Sequence, residues 1–156
     1  MPSRRRVTTS LATALLGLGL LTACEKPLPQ VGALAGGEFA HADATLWCFE
    51  GQAYTAAGKC RENKHTPTRL QVRPGAPVAV EVPADVKERG WFVRVVDGQN
   101  QVAAGPIQKD KTYFTLAADF QQGNTMSIQV VALPQGPGEG ETSGFWEFAL
   151  VNADAS

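Results

Sequence analysis

The sequence predicts an all-β fold: a single immunoglobulin-like antiparallel β-sandwich that follows a signal peptide and a short tether. Three observations carry this expectation. Apolar residues recur at alternate positions in several short runs, glycines and prolines punctuate those runs, and only residues 85–89, between Pro83 and Gly90, have a helical character. Parallel strands need long crossover helices, so an antiparallel Greek-key arrangement is the economical choice.

The elements follow in order. Residues 46–49 open the set. Leu70 and Val72, then Val78, Val80 and Val82, alternate with polar or small residues around Pro74-Gly75, which reads as strand, turn, strand. Residues 91–96 form the next apolar run, closed by the turn signal Asp97-Gly98. Along that run Trp91, Val93 and Val95 share one side, while Phe92 and Arg94 face the other. Further strands are expected at 101–104, 112–116, 126–133, with Ile128 and Val130 facing one way, and 145–151.

Ahead of this body the chain carries an address. Arg4, Arg5 and Arg6 form a basic start, residues 11–21 an apolar stretch, and Leu21-Thr22-Ala23-Cys24 a bacterial lipobox, with cleavage expected before Cys24 and a lipid on its thiol. The apolar stretch falls short of the roughly 20 residues a transmembrane helix needs, and Thr13, Gly17, Gly19 and Thr22 interrupt it. Ser3-Arg4-Arg5-Arg6-Val7 also has a twin-arginine flavour, which leaves the export route open. The expected division is therefore signal peptide 1–23, lipidated Cys24 with a tether to residue 37, and sandwich 38–156. In the tether Pro27 and Pro29 favour extended chain, and 31–37 is small and glycine-rich. Its alternative is that 31–34 already belongs to a first edge strand.

Three cysteines are an odd number for an exported protein. With Cys24 lipidated, Cys48 and Cys60 remain, twelve positions apart, and pair as one local disulfide in an oxidising compartment. Neither Cys-x-x-Cys nor metal-finger spacing occurs. Such a close pair differs from the inter-sheet bridge of antibody domains, so "immunoglobulin-like" describes architecture only. Removing 1–23 leaves 11 basic against 15 acidic residues, a net charge of −4, which argues against nucleic acid as a partner. Lys59, Arg61, Lys64, His65, Arg69 and Arg73 form a local basic cluster, read as a solvated face or a headgroup-facing edge.

The run Thr-Ala-Cys-Glu-Lys-Pro (22–27), the Cys48/Cys60 pair, the segment 82–91, Lys111-Thr112-Tyr113 and Gly144-Phe145-Trp146-Glu147-Phe148 together resemble a group of actinobacterial lipoproteins that carry a domain of unknown function. The resemblance spans nearly the whole chain, apart from the 133–144 segment. It implies localisation and fold, and brings no catalytic residues.

Candidate sites are few. His41, Asp43 and His65 could supply a metal site, although their spacing matches no known ligand pattern. Trp91, Trp146 and Tyr113 could form a binding surface, but the alternation around each places them in a sandwich core. Ser127 and Ser143 lack the Gly-x-Ser-x-Gly elbow of a serine nucleophile. No catalytic residue and no cofactor is expected. The favoured reading is a non-enzymatic module on the outer face of the cytoplasmic membrane, held through lipidated Cys24 and binding an envelope protein or ligand. The other reading is a small cell-wall enzyme or metal-handling protein built on His41, Asp43 and His65.

Overall fold

The computed structural model describes residues 26–54, 59–97, 100–120, 123–135 and 142–155. The lipobox and Cys24 lie outside the described residues. Among the described residues eleven strands form two sheets packed face to face. The smaller sheet takes β2 (Glu38–Asp43), β1 (Gln30–Ala35), β6 (Pro77–Glu81) and β9 (Tyr113–Ala117), in that spatial order. The larger contains β4 (Cys60–Glu62), β3 (Leu46–Cys48), β11 (Gly144–Asn152), β10 (Thr125–Ala132), β7 (Trp91–Asp97) and β8 (Asn100–Ala103), and β5 (Thr68–Val72) joins it on β11. Among the described residues one α-helix, α1 (Ala84–Arg89), occupies the place expected between Pro83 and Gly90 and buries Val86 against one end of the sandwich.

The period-two pattern explains the core. Val31, Ala33 and Ala35 of β1, Val78 and Val80 of β6, and Leu116 of β9 face Trp91 and Val93 of β7, Ile128 and Val130 of β10, and Trp146, Phe148 and Leu150 of β11. Two of the three core indoles have a hydrogen-bond partner given by the backbone, as buried Trp N–H groups favour: Trp91 Nε1 donates to the Lys111 carbonyl at 2.8 Å and Trp146 Nε1 to the Pro29 carbonyl at 2.8 Å. Tyr113 departs from the expectation. It begins β9 on the outward side and is 68% exposed.

Two further expectations change. Residues 30–35, assigned to the tether, form β1, and this strand is internal because β2 and β6 pair with its two edges. Its small side chains fit a tightly packed sheet: the Phe39 ring lies across Gly32, 2.6 Å from where a Cβ would stand, and thereby covers the position that lacks a side chain. The folded body therefore begins well before residue 38. Leu28 packs against the core and Lys26 pairs with Asp85 of α1 at 3.3 Å.

Pro74-Gly75 is the expected turn between two strands, and it makes a corner between the sheets. Strand β5 lies in the larger sheet and β6 in the smaller, since alternation identifies a strand without naming its partner. The second change is that β5 runs parallel to β11, with Leu70 opposite Leu150, in an otherwise antiparallel set. One edge of β11 is thus shared: β3 pairs antiparallel with Gly144 and Phe145, and β5 takes Phe148 to Asn152.

Candidate binding face on the larger sheet

Since Val130 and Trp47 point into the core, alternation turns their neighbours Val131 and Leu46 to the outside of the larger sheet. Strand register then lines up an apolar row across four strands, Phe92–Val131–Phe145–Leu46, ending at Glu62 of β4. Val131 and Leu46 are nevertheless buried. Beside this row runs a polar one. Arg94 Nε donates to Gln129 Oε1 at 2.8 Å, Gln129 Nε2 donates to Glu147 Oε1 at 2.7 Å, and the Thr45 hydroxyl donates to Glu147 Oε2 at 3.4 Å. Partial burial pushes the Arg94 guanidinium below its ordinary pKa, an effect that nearby Glu147 opposes.

A clamped segment covers one end of the apolar row. Cys48 and Cys60 face each other across β3 and β4 and are joined by the expected disulfide. After Cys48 the chain makes a 3₁₀ turn (Phe49–Gly51) in which Glu50 and Gly51 take left-handed φ values of 61° and 69°. Gly51 is needed twice over: its φ favours glycine, and a Cβ there would stand 2.7 Å from the Gln135 side chain. The Gln135 amide donates to the Gly51 carbonyl at 2.7 Å, and the Tyr54 amide to the Thr142 carbonyl at 2.7 Å. Tyr54 is then held by its hydroxyl, which donates to Glu62 Oε1 at 2.7 Å, and the bond and the charge of Glu62 raise the phenol pKa above its ordinary 10.0.

Between Tyr54 and the sheet lies a cleft of about 380 Å³, lined by Thr45, Leu46, Tyr54, Glu62, Asn63, Lys64, Thr142 and Phe145. Leu46 and Phe145 supply apolar surface, and Glu62 and Lys64 add one charge of each sign. That is the composition of a small recognition site, apolar with a few polar groups to fix orientation.

On the inner side of the same strands Arg89 ties the region together. Its Nη1 donates to the Cys48 carbonyl at 2.9 Å and to Ser143 Oγ at 3.2 Å, and its guanidinium carbon lies 3.7 Å from the centre of the Trp47 ring. Desolvation lowers its pKa, opposed by the charge of Asp85. Ser143 is buried and donates to the Leu133 carbonyl at 2.7 Å, so its hydroxyl serves the fold.

The other residues singled out in the sequence are accounted for as follows. His41 and Asp43 are exposed neighbours on β2; His41 meets Phe39 edge-on at 4.7 Å, and Asp43 Oδ1 accepts from Gln30 Nε2 at 2.7 Å. His65 Nδ1 contacts the Asn63 carbonyl at 3.1 Å, and its Nε2 is buried without a partner. Among the described residues no group of three or more His, Cys, Asp or Glu side chains could hold a metal, so the three are not gathered into a centre. A second, broader cleft of about 700 Å³ lies where the chain enters the fold, lined by Lys26, Pro27, Leu28, Gln30, Asp43, Arg61 and Asn63. No catalytic or ligand-binding motif marks the cleft residues Tyr54 and Phe145 or the tie Arg89; Arg89 and Phe145 lie in segments that carry the resemblance, which assigns them no role. The one available signal was the alternation of 145–151, which sets Phe145 and Glu147 on the side opposite Trp146 and Phe148. No family model, curated protein or solved structure matches the chain.

Proposed function

We propose that the chain is an exported, lipid-anchored binding module, held by Cys24 at the outer face of the cytoplasmic membrane, whose outer face on the larger sheet takes an envelope ligand or partner protein. The observation that carries the binding role is the cleft beside Tyr54: an apolar floor on a rigid sheet, walled by a segment fixed through a disulfide and three hydrogen bonds. The lipobox supports the address, as does the resemblance of the chain to actinobacterial lipoproteins.

Two substitutions in the full chain test the two halves. Cys24→Ala removes the only thiol the lipobox offers, so the protein is expected to leave the membrane fraction or to accumulate as uncut precursor. Normal processing with unchanged membrane retention would refute the anchor. Phe145→Ser in the cleft is expected to abolish capture of whatever wild-type protein retains from solubilised envelope, with both proteins compared at a temperature where circular dichroism shows them folded. Identical captures by both proteins would refute the binding face.

A further inference from the structure

The structure gives an anchored chain almost no spacer. Only Glu25 separates Cys24 from Lys26, and Lys26 already contacts α1 through Asp85. Two residues span at most about 7 Å, so a lipid on Cys24 would hold this end of the sandwich at the headgroups whatever path Glu25 takes. What that end presents is therefore what meets the bilayer.

Beside the Lys26 contact lies the loop that leads into β9. The Val82 amide, just ahead of α1, donates to the Thr112 carbonyl at 2.8 Å, and Glu81 pairs with Tyr113. Gln108 is buried and exchanges two backbone hydrogen bonds with Trp91, at 3.0 and 2.6 Å, and Trp91 Nε1 donates to Lys111. These bonds fix the loop to the end of the sandwich from which α1 leads into β7. Around the buried Gln108 the loop turns outward Ile107, 52% exposed, Tyr113, 68% exposed, and between them Lys109, Asp110 and Lys111, two positive charges against one negative. An exposed aliphatic, an exposed tyrosine and two lysines on one firmly held loop make a poor water-facing surface. They suit a membrane interface, where Tyr sits at headgroup depth and Lys meets anionic lipid.

We infer that this end of the sandwich, through Ile107, Lys109, Lys111 and Tyr113, rests on an anionic phospholipid surface as a second contact beside the lipid on Cys24. The inference rests on the proposed lipidation of Cys24. It assigns the module a fixed orientation, with α1 and the loop toward the bilayer and the Leu34–Phe39 end of β1 and β2 pointing away.

The native tryptophans allow a direct test, because Trp47, Trp91 and Trp146 are at most 2% exposed and contribute little to a signal from lipid. The full chain would be produced with its signal sequence, recovered from membranes and reconstituted into phosphatidylglycerol-containing vesicles with brominated acyl chains. Tyr113→Trp is expected to emit further to the blue than in detergent and to be quenched by bromine. Val102→Trp, at an exposed position on the edge strand β8, is expected to show neither effect. Adding Lys109→Glu and Lys111→Glu to Tyr113→Trp is expected to relieve the quenching. If the reporter at 113 is unquenched, or both reporters are quenched alike, while the N-terminal peptide carries acyl mass, the docking fails and the anchor stands. An N-terminal peptide without acyl mass overturns both.

Discussion

Replacing Trp91 by Ala tests whether the aromatics of the larger sheet hold the sandwich together. Trp91 is fully buried at the start of β7, opposite Ala132 of β10, and its backbone is bridged to Gln108. A buried Trp removes roughly 200 Å² from water, worth up to about 5 kcal/mol at about 25 cal/mol per Å². Measured truncations of buried aromatics fall at about 3 to 5 kcal/mol. The variant also leaves the Lys111 carbonyl without its donor, and since Lys111 lies in an exposed loop water can replace it, adding no more than about 1 kcal/mol. Urea unfolding of Trp91→Ala is thus expected to lose about 3 to 5 kcal/mol, a large part of the roughly 5 to 15 kcal/mol that domains possess. The melting temperature is expected to fall by on the order of 15 °C. Trp91→Phe keeps most of the ring volume and loses the hydrogen bond, so it falls between the two proteins. Tyr113→Ala, on the exposed side of β9, is expected to stay within about 0.5 kcal/mol of wild type. A loss below about 1 kcal/mol for Trp91→Ala would refute the assignment of this indole to a tightly packed core.

Other substitutions probe the clamp around the cleft. Replacing Cys48 and Cys60 together by Ala is expected to cost about 2 to 4 kcal/mol in urea unfolding, because the bridge closes a short loop in the unfolded chain. Arg89→Met retains the aliphatic stem over Trp47 but loses the hydrogen bonds to Cys48 and Ser143. Its expected cost, read from the same unfolding curves, is about 1 to 3 kcal/mol. The phenol of Tyr54 is expected to ionise above pH 10.0 in an absorbance titration against a Tyr113→Phe background, and Glu62→Gln is expected to lower that midpoint. The sign follows from linkage: a raised folded-state pKa means the Tyr54–Glu62 contribution is present below the ordinary phenol value and is lost as pH climbs through the raised one.

Which parts of this fold the sequence reveals depends on how each strand is stabilised. Strands β5, β6, β7, β10 and β11 carry large apolar residues at alternate positions, because one face of each packs between the sheets, and the pattern finds them together with β3, β8 and β9. Strand β1 buries as completely but does so with Val, Ala and Gly, and composition alone makes such a run resemble a flexible linker. Its membership in the sheet comes from Phe39 covering Gly32 and from pairing on both edges, neither of which is written locally. Strand β4 is Cys-Arg-Glu, three residues with no apolar alternation, and exists through its pairing with β3 and the disulfide. Tyr113 misleads for the opposite reason: an aromatic next to a β run suggests burial, while the phase of β9, set by buried Leu116, turns it outward.

The cleft was harder to foresee than the core because its walls come from four separate stretches: Thr45 and Leu46, Tyr54, Glu62 to Lys64, and Thr142 with Phe145. Only the Cys48–Cys60 spacing hints that 49–59 folds back on its own strand. Even then the hint stops at a loop, because what fixes Tyr54 over the sheet is a backbone bond to Thr142, 88 positions further along the chain, and a side-chain bond to Glu62. Periodicity can assign a residue to one side of a strand. What lies over that side depends on contacts distant in sequence, so Val131 and Leu46, outward by phase, are as buried as the core they face away from. Burial on the outer side of a sheet therefore marks the place where the rest of the chain has built a covered face, and here that face is the one with a cleft.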